Sequence, residues 1–197
     1  MNIEIRKLTP DLLDDYLHFF ETEAHADNPD EDRCYCVCWG SVDHRIATDF
    51  SSPEKRRELA IQYIKSGIIQ GYLAYYDGRV VGWCNANNKS DCLYCTSWLR
   101  FMTPINEIDS DPNDKVKSIY CFTIAPDMKR KGIAKQMLQY ACQDAADNGY
   151  DYVEVYPEKE VVNILYDFMG PVEMYKNFGF VIHGETEHKL VMRKQLK

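Results

Sequence analysis

The spacing of hydrophobic and polar residues changes several times along the chain, and each change predicts an element. Residues 2–8 alternate Ile3 and Ile5 with charged positions, the period of a half-buried strand. Thr9-Pro10-Asp11 then predicts a helix start, because proline suits a first turn. Leu12, Leu13, Tyr16, Leu17 and Phe20 follow at helical spacing. Ser52-Pro53-Glu54 opens a second predicted helix that runs to about Ser66. Residues 71–77 and 79–86 are strand-like and meet at Asp77-Gly78, a strong hairpin signal. Residues 116–124, VKSIYCFTI, form a β-rich run stopped by Pro126. Helical spacing returns from about Lys129 to Asn148, with Ile133, Met137, Tyr140, Ala141 and Ala145 on one face, and Asn148-Gly149 ends it. Residues 150–156 predict a short strand. Residues 161–168 and 171–177 predict short helices on either side of Gly170, and 178–183 and 189–193 predict closing strands. The intervening segments 26–50 and 87–114 are polar and irregular and read as loops, with SWLRFM in the second packing locally.

The resulting order, β α α β β β α β α β, predicts an α/β (α+β) domain with helices around one mixed sheet. No repeat, low-complexity tract or linker divides residues 1–197, so one domain is expected. Composition supports this, with 45% hydrophobic and 27% charged residues in an ordinary globular balance. No run of eighteen apolar residues predicts a membrane span. The opening MNIEIRKLTPDLLDDY mixes charge into its apolar pattern and is not a signal peptide, so a soluble cytoplasmic protein is expected. The formal net charge of -8 argues against a nucleic-acid-binding surface, which needs a basic footprint. It leaves room for a cationic substrate.

Eight cysteines then read as reduced thiols rather than a disulfide framework. Cys34, Cys36 and Cys38 form C-x-C-x-C, and Cys92 and Cys95 form C-x-x-C. Together they offer zinc ligands. On a strand, however, the first three sulfurs would stand about 7 Å apart per step, too far for one tetrahedral ion without a turn. Buried structural thiols are the competing reading. His18, His25, His44, His183 and His188 show no metal spacing.

Against the acidic background, APDMKRKGIAKQML at positions 125–138 gathers four cations around one glycine. It lies between a predicted strand and a predicted helix. The first helical N–H groups lack partners and the macrodipole adds positive potential, so this is an anion site by construction. Glycine allows close approach of a phosphate. The spacing contains neither G-x-x-x-x-G-K-[ST] nor G-x-G-x-x-G, which excludes the P-loop and the dinucleotide fingerprint.

Lys129-Arg-Lys-Gly-Ile-Ala134 resembles the pyrophosphate-binding motif Gln/Arg-x-x-Gly-x-Gly/Ala of the GNAT superfamily of acyl-CoA-dependent N-acetyltransferases, with Lys at the first position. CFTIAP directly before it, the late MYKNFGF and the closing LVMRKQL are similar to that family's central strand, Tyr-x-x-x-Gly-Phe signature and last strand. The resemblance is strongest from Val116 to Lys197. It implies a mixed central sheet whose central strands splay, with acetyl-CoA entering the gap as co-substrate. Phe122, Thr123 and Ile124 would then meet pantetheine and the thioester through backbone groups. Lys129, Arg130, Lys131, Gly132, Ile133 and Ala134 would hold the pyrophosphate. An N–H near Phe122 would act as oxyanion donor.

The resemblance also assigns Tyr175 to protonating the leaving thiolate. A core tyrosine packed beside Phe178 and Phe180 is the alternative, and Tyr166 is the other tyrosine to consider. The strand 116–124 carries no carboxylate, so Glu154 on the neighbouring strand is the candidate base, against a solvated strand residue. Asp127 reads as a turn residue and Cys121 as a buried thiol. Some members of the family need only proximity and a water chain. CYCVCWG at 34–40, Asn85 to Asn88, and Tyr35, Trp39, Trp83 and Trp98 are candidates for the acceptor pocket, or else aromatic core. The expected activity is acetyl transfer to the primary amine of a small molecule or peptide, with no nucleic-acid or membrane partner and a possible homodimer. A catalytically silent acyl-CoA-binding module and a zinc-binding interaction protein are the alternatives.

Overall fold

The computed structural model describes residues 1–26, 33–40, 48–108, 111–160 and 167–197. Its strands are β1 (Glu4–Lys7), β2 (Gly71–Tyr76), β3 (Arg79–Asn88), β4 (Val116–Ile124), β5 (Tyr152–Val155), β6 (Val181–Glu185) and β7 (Leu190–Gln195). The helices are α1 (Leu13–His18), α2 (Pro53–Lys65), α3 (Lys89–Cys92), α4 (Thr96–Phe101), α5 (Ile133–Asp147) and α6 (Val172–Asn177). All seven strands join one sheet in the order β1-β2-β3-β4-β5-β7-β6. Only β4 and β5 run parallel, which requires a crossover, and α5 supplies it. No described helix is long and apolar enough to cross a membrane.

The strongest local signals decide the framework. Asp77 and Gly78 both take positive φ, +51° and +77°, the geometry of a primed two-residue turn between β2 and β3. The Ser52 side chain accepts a hydrogen bond from Lys55 N at 3.3 Å and caps α2, with Pro53 at its first turn. β4 is buried on both faces along almost its whole length, which explains its continuous apolar run. α5 buries Ile133, Met137, Leu138, Ala141, Cys142 and Ala145 against the sheet.

Several expectations are corrected. α5 begins at Ile133, because Gly132 at φ +81° takes a left-handed conformation and cannot extend the helix backwards. Lys129, Arg130 and Lys131 therefore lie in a loop after a 3-10 turn at Pro126–Met128. Tyr140, expected on the buried face, is 38% exposed and meets the Tyr72 ring edge-on at 5.4 Å. The segment 87–114 is not a plain loop. It completes β3 and then forms α3, α4 and a 3-10 turn at Thr103–Glu107. Cys36 sits in a left-handed turn before a 3-10 turn at Val37–Trp39, in keeping with the irregular reading of this segment. The helix expected at 161–168 falls mainly outside the described residues, as do Tyr166 and His44.

Candidate active site

β4 meets β5 only from Val116 to Ile119, opposite Tyr152 to Val155. Beyond Ile119 the β5 side of β4 has no strand partner among the described residues, so the two strands part there. On its other side β4 carries an irregularity. Asn85 pairs with Cys121 and Ala86 with Ile119, which leaves Tyr120 as the extra residue of a bulge. A bulge re-aims its side chain. Tyr120 stacks between Trp39, at 4.4 Å and 13°, and Tyr156, at 5.6 Å and 9°.

These residues border a cavity of about 1490 Å³. Cys121 and Thr123 line it from β4, Trp39 and Tyr120 supply its aromatic wall, and Asp167 and Phe168 face it from the turn that follows. The turn is tied to β4. Phe122 N donates to Phe168 O at 2.6 Å, so the N–H expected to serve a thioester carbonyl is engaged by a carbonyl of the chain itself. Phe122 buries its own side chain in the core and presents backbone to the gap.

The loop at the end of β4 has the character of an anion site. Arg130, at φ +64°, and Gly132, at φ +81°, turn the backbone sharply before α5. The first backbone bond into the helix is Gln136 N to Gly132 O at 3.2 Å, so the N–H groups of Ile133, Ala134 and Lys135 head the helix without intrahelical partners. Arg130, Lys131 and Lys135 are exposed and Lys129 half-buried. Among the described residues none of the four forms an ion pair. Asp127, the nearest acid in sequence, is committed to Arg79 at 2.6 Å. A Cβ on Gly132 would meet nothing within 4 Å, so its glycine answers to backbone conformation and leaves open space above the helix end.

Tyr175 is fully buried, edge-on to Phe180 at 5.5 Å, and its hydroxyl donates to Met169 O. Burial raises its pKa well above that of an ordinary phenol, so the hydroxyl keeps its proton. It anchors the same turn that Phe122 holds. Glu154 is completely buried. Lys89 Nζ lies 2.6 Å from its Oε1, Arg193 Nε contacts its Oε2, and the Tyr156 hydroxyl donates to Oε1 at 2.7 Å. Tyr156 in turn shares a 2.7 Å hydrogen bond with Ser118. Burial alone would push the carboxyl up, but the Lys89 and Arg193 charges outweigh it and hold it below the ordinary value. Both oxygens are thus occupied, and Glu154 does not line the cavity.

Among the acceptor-pocket candidates, Trp39 and the cysteines at 34, 36 and 38 line the cavity, whereas Tyr35, Trp83, Trp98 and Asn85 do not. Trp83 and Trp98 are core residues. The thiols serve local hydrogen bonds: Trp83 Nε1 donates to Cys36 Sγ at 3.3 Å, and Cys95 Sγ accepts from Trp98 N at 3.4 Å. Among the described residues no three His, Cys, Asp or Glu side chains are placed to share a metal ion. Asp167 carries no sequence signal. Only its placement on the cavity wall distinguishes it.

Comparison with known proteins follows the same lines. Residues 39–180 match the family model described as the acetyltransferase (GNAT) family. Three similar solved structures span both chains almost completely. An N-acetyltransferase from Staphylococcus aureus Mu50 has 14% identity, 100% coverage of each chain and a TM-score of 0.54. The PaiA N-acetyltransferase of Thermoplasma acidophilum, solved in complex with coenzyme A, has 16% identity, 99% coverage of each and a TM-score of 0.54. A polyamine N-acetyltransferase of Drosophila melanogaster, which forms N-acetylagmatine, has 10% identity, 98% coverage of each and a TM-score of 0.52. No curated protein matches the sequence.

Proposed function

The chain belongs to the acetyltransferase (GNAT) family, and we propose that it transfers the acetyl group of acetyl-CoA to a primary amine by direct attack in a ternary complex. The observation that carries this reading is the set of four cations around the α5 N-terminus that form no ion pair among the described residues, at the end of the strand that parts from its neighbour. The loop fits a pyrophosphate: free helix N–H groups, positive potential and no side chain on Gly132. Lys129 to Ala134 hold the phosphates, Ile133 through its backbone because its side chain is buried. The edge of β4 at Phe122, Thr123 and Ile124 receives pantetheine. The single sheet from Glu4 to Gln195 supports reading residues 1–197 as one domain.

Within that complex the thioester carbonyl replaces Phe168 O on Phe122 N–H, which then stabilises the developing oxyanion. The neutral amine attacks, the carbon–sulfur bond breaks, and Tyr175 supplies the proton to the thiolate. Glu154 enters as an ion-pair anchor that orients Tyr156, because its oxygens are already shared by two cations. Tyr175→Phe is expected to lower kcat about 100-fold or more, the usual scale of a positioned acid, with acetyl-CoA affinity changed by less than about threefold. Steady-state kinetics and calorimetry check this, and an unchanged kcat would confine the phenol to holding Met169.

A silent acyl-CoA-binding module is the second reading, favoured by the engagement of Phe122 N–H with Phe168 O. Calorimetric titration with acetyl-CoA, followed by thiol release with a panel of primary amines, separates the two. Binding with release supports the enzyme, and binding without release supports the module. No binding at millimolar acetyl-CoA overturns both.

A further inference from the structure

Asp167 Oδ1, Tyr120 Oη and His25 Nε2 are sealed from solvent without a hydrogen-bond partner, and all three residues line the one cavity. They come from distant parts of the chain: the turn after residue 166, the bulge of β4 and the end of the first helical segment. Tyr120 Oη lies near Ser118 and the Cys92 thiol but in hydrogen-bonding geometry with neither. Leaving a buried polar group unpaired costs about 1–3 kcal/mol, and native proteins hold few such groups. Asp167, which lines the cavity with one carboxylate oxygen unpaired, points to a polar ligand.

Asp167 is the charged member of the three. The backbone N–H groups of Gly170 and Met169 lie close enough to its carboxylate to favour the charged form. The nearby cation Lys189 is committed to Glu158 and touches Met169 Sδ at 3.4 Å. Among the described residues Asp167 forms no ion pair, and Lys189 acts on it only from a distance. The next residue, Phe168, has its carbonyl 2.6 Å from Phe122 N. Asp167 thus stands one peptide unit, about 3.8 Å between Cα atoms, from the residue that covers the proposed oxyanion position. Before the thioester arrives, the Tyr175 bond to Met169 holds this turn together with the Phe122 bond.

We propose that Asp167 binds the acceptor as its ammonium ion and takes the proton that must leave before attack, with Trp39 and Tyr120 covering the acceptor's carbon skeleton. This rests on the acetyl-transfer reading and names its missing base. In the step, one N–H bond of R–NH₃⁺ breaks and an O–H bond forms on Asp167, giving R–NH₂ and a neutral carboxyl. The nitrogen lone pair then attacks the thioester carbon, the sulfur departs with the C–S electron pair, and the proton on the new amide nitrogen passes to solvent. Burial raises the Asp167 pKa, with the backbone N–H groups pulling it back, Glu158 adding to the rise and Lys189 opposing it. A carboxylate raised toward neutrality is the better proton acceptor there.

The probes are 2-phenylethylamine, 1,5-diaminopentane and the uncharged 2-phenylethanol, titrated into the full chain with saturating coenzyme A. The parent protein is expected to bind at least one of the amines, with Asp167→Asn weakening it tenfold or more and Asp167→Glu within about threefold. Binding of 2-phenylethanol should not distinguish the parent from Asp167→Asn. Equal amine affinity in the parent and Asp167→Asn, or no amine binding to the parent, overturns the proposal. Acetyl-CoA binding is measured on the same samples. Its retention in a failed test leaves the acetyl-transfer reading standing, and its absence from the parent removes both. An unchanged urea midpoint for Asp167→Asn ties the loss to the carboxylate rather than to folding.

Discussion

Gly132→Glu is expected to abolish acetyl-CoA binding at concentrations that saturate the parent protein, a loss of at least about 100-fold in affinity. Two effects add. Gly132 sits at φ +81°, where a residue with a Cβ is strained by about 1–3 kcal/mol. The new carboxylate also enters the positive end of α5 and competes with the phosphates for Lys129, Arg130, Lys131 and the helix N–H groups. Gly132→Ala separates the two. It carries the strain without the charge, and is expected to weaken binding by no more than about tenfold. Isothermal titration of both variants reads the difference, and unchanged affinity in Gly132→Glu would falsify the assignment of this loop to the pyrophosphate.

The largest effect on stability is expected from Glu154→Ala. Removing one partner of a buried ion pair leaves the others uncompensated and costs about 3–5 kcal/mol. Here Lys89 and the buried Arg193 both lose their shared carboxylate, Arg193 keeping Asp114 at 3.4 Å, and Tyr156 loses its acceptor. Urea unfolding at pH 7 measures the loss. The sign with pH follows from the lowered pKa of Glu154. Its contribution is fully present above the ordinary value of 4.5 and is lost as pH falls through the lower folded value. The gap between parent and variant should therefore narrow below about pH 4.5. Glu154→Gln keeps an oxygen for Tyr156 and should fold better than the alanine variant. If it folds normally yet loses turnover completely, Glu154 is a base after all.

The sheet was legible where burial imposes a period. β4 reads correctly because both faces are covered and Pro126 stops it, and the β2–β3 hairpin because Asp77 and Gly78 accept positive φ. The anion loop was legible because its chemistry is local: four cations, one glycine and a helix start within eleven residues. Other features depend on tertiary packing. α3 and α4 span four and six residues, too short for a periodic signal. α4 is held by Trp98, fully buried and edge-on to Tyr120 at 6.2 Å. The bulge that re-aims Tyr120 is a property of register between two strands, and no single strand's sequence contains it. Glu154 reads as an exposed strand position until Lys89 and Arg193 close over it. Asp167 belongs to no motif, and its place on the cavity wall exists only once the turn before Met169 is folded against β4.

The bond from Phe122 N to Phe168 O makes the chain a competitor for its own donor. A hydrogen bond of this kind is worth about 1 kcal/mol net, so the self-bonded form outnumbers the open one by roughly fivefold, and on the acetyl-transfer reading apparent acetyl-CoA affinity would fall by about the same factor. The relation is reciprocal. Any change that loosens the turn at 167–170 without touching the loop at Gly132 should tighten acetyl-CoA binding, and any change that strengthens the turn should weaken it. On the acetyl-transfer reading, cofactor affinity would therefore be set in part by a segment that never meets the phosphates.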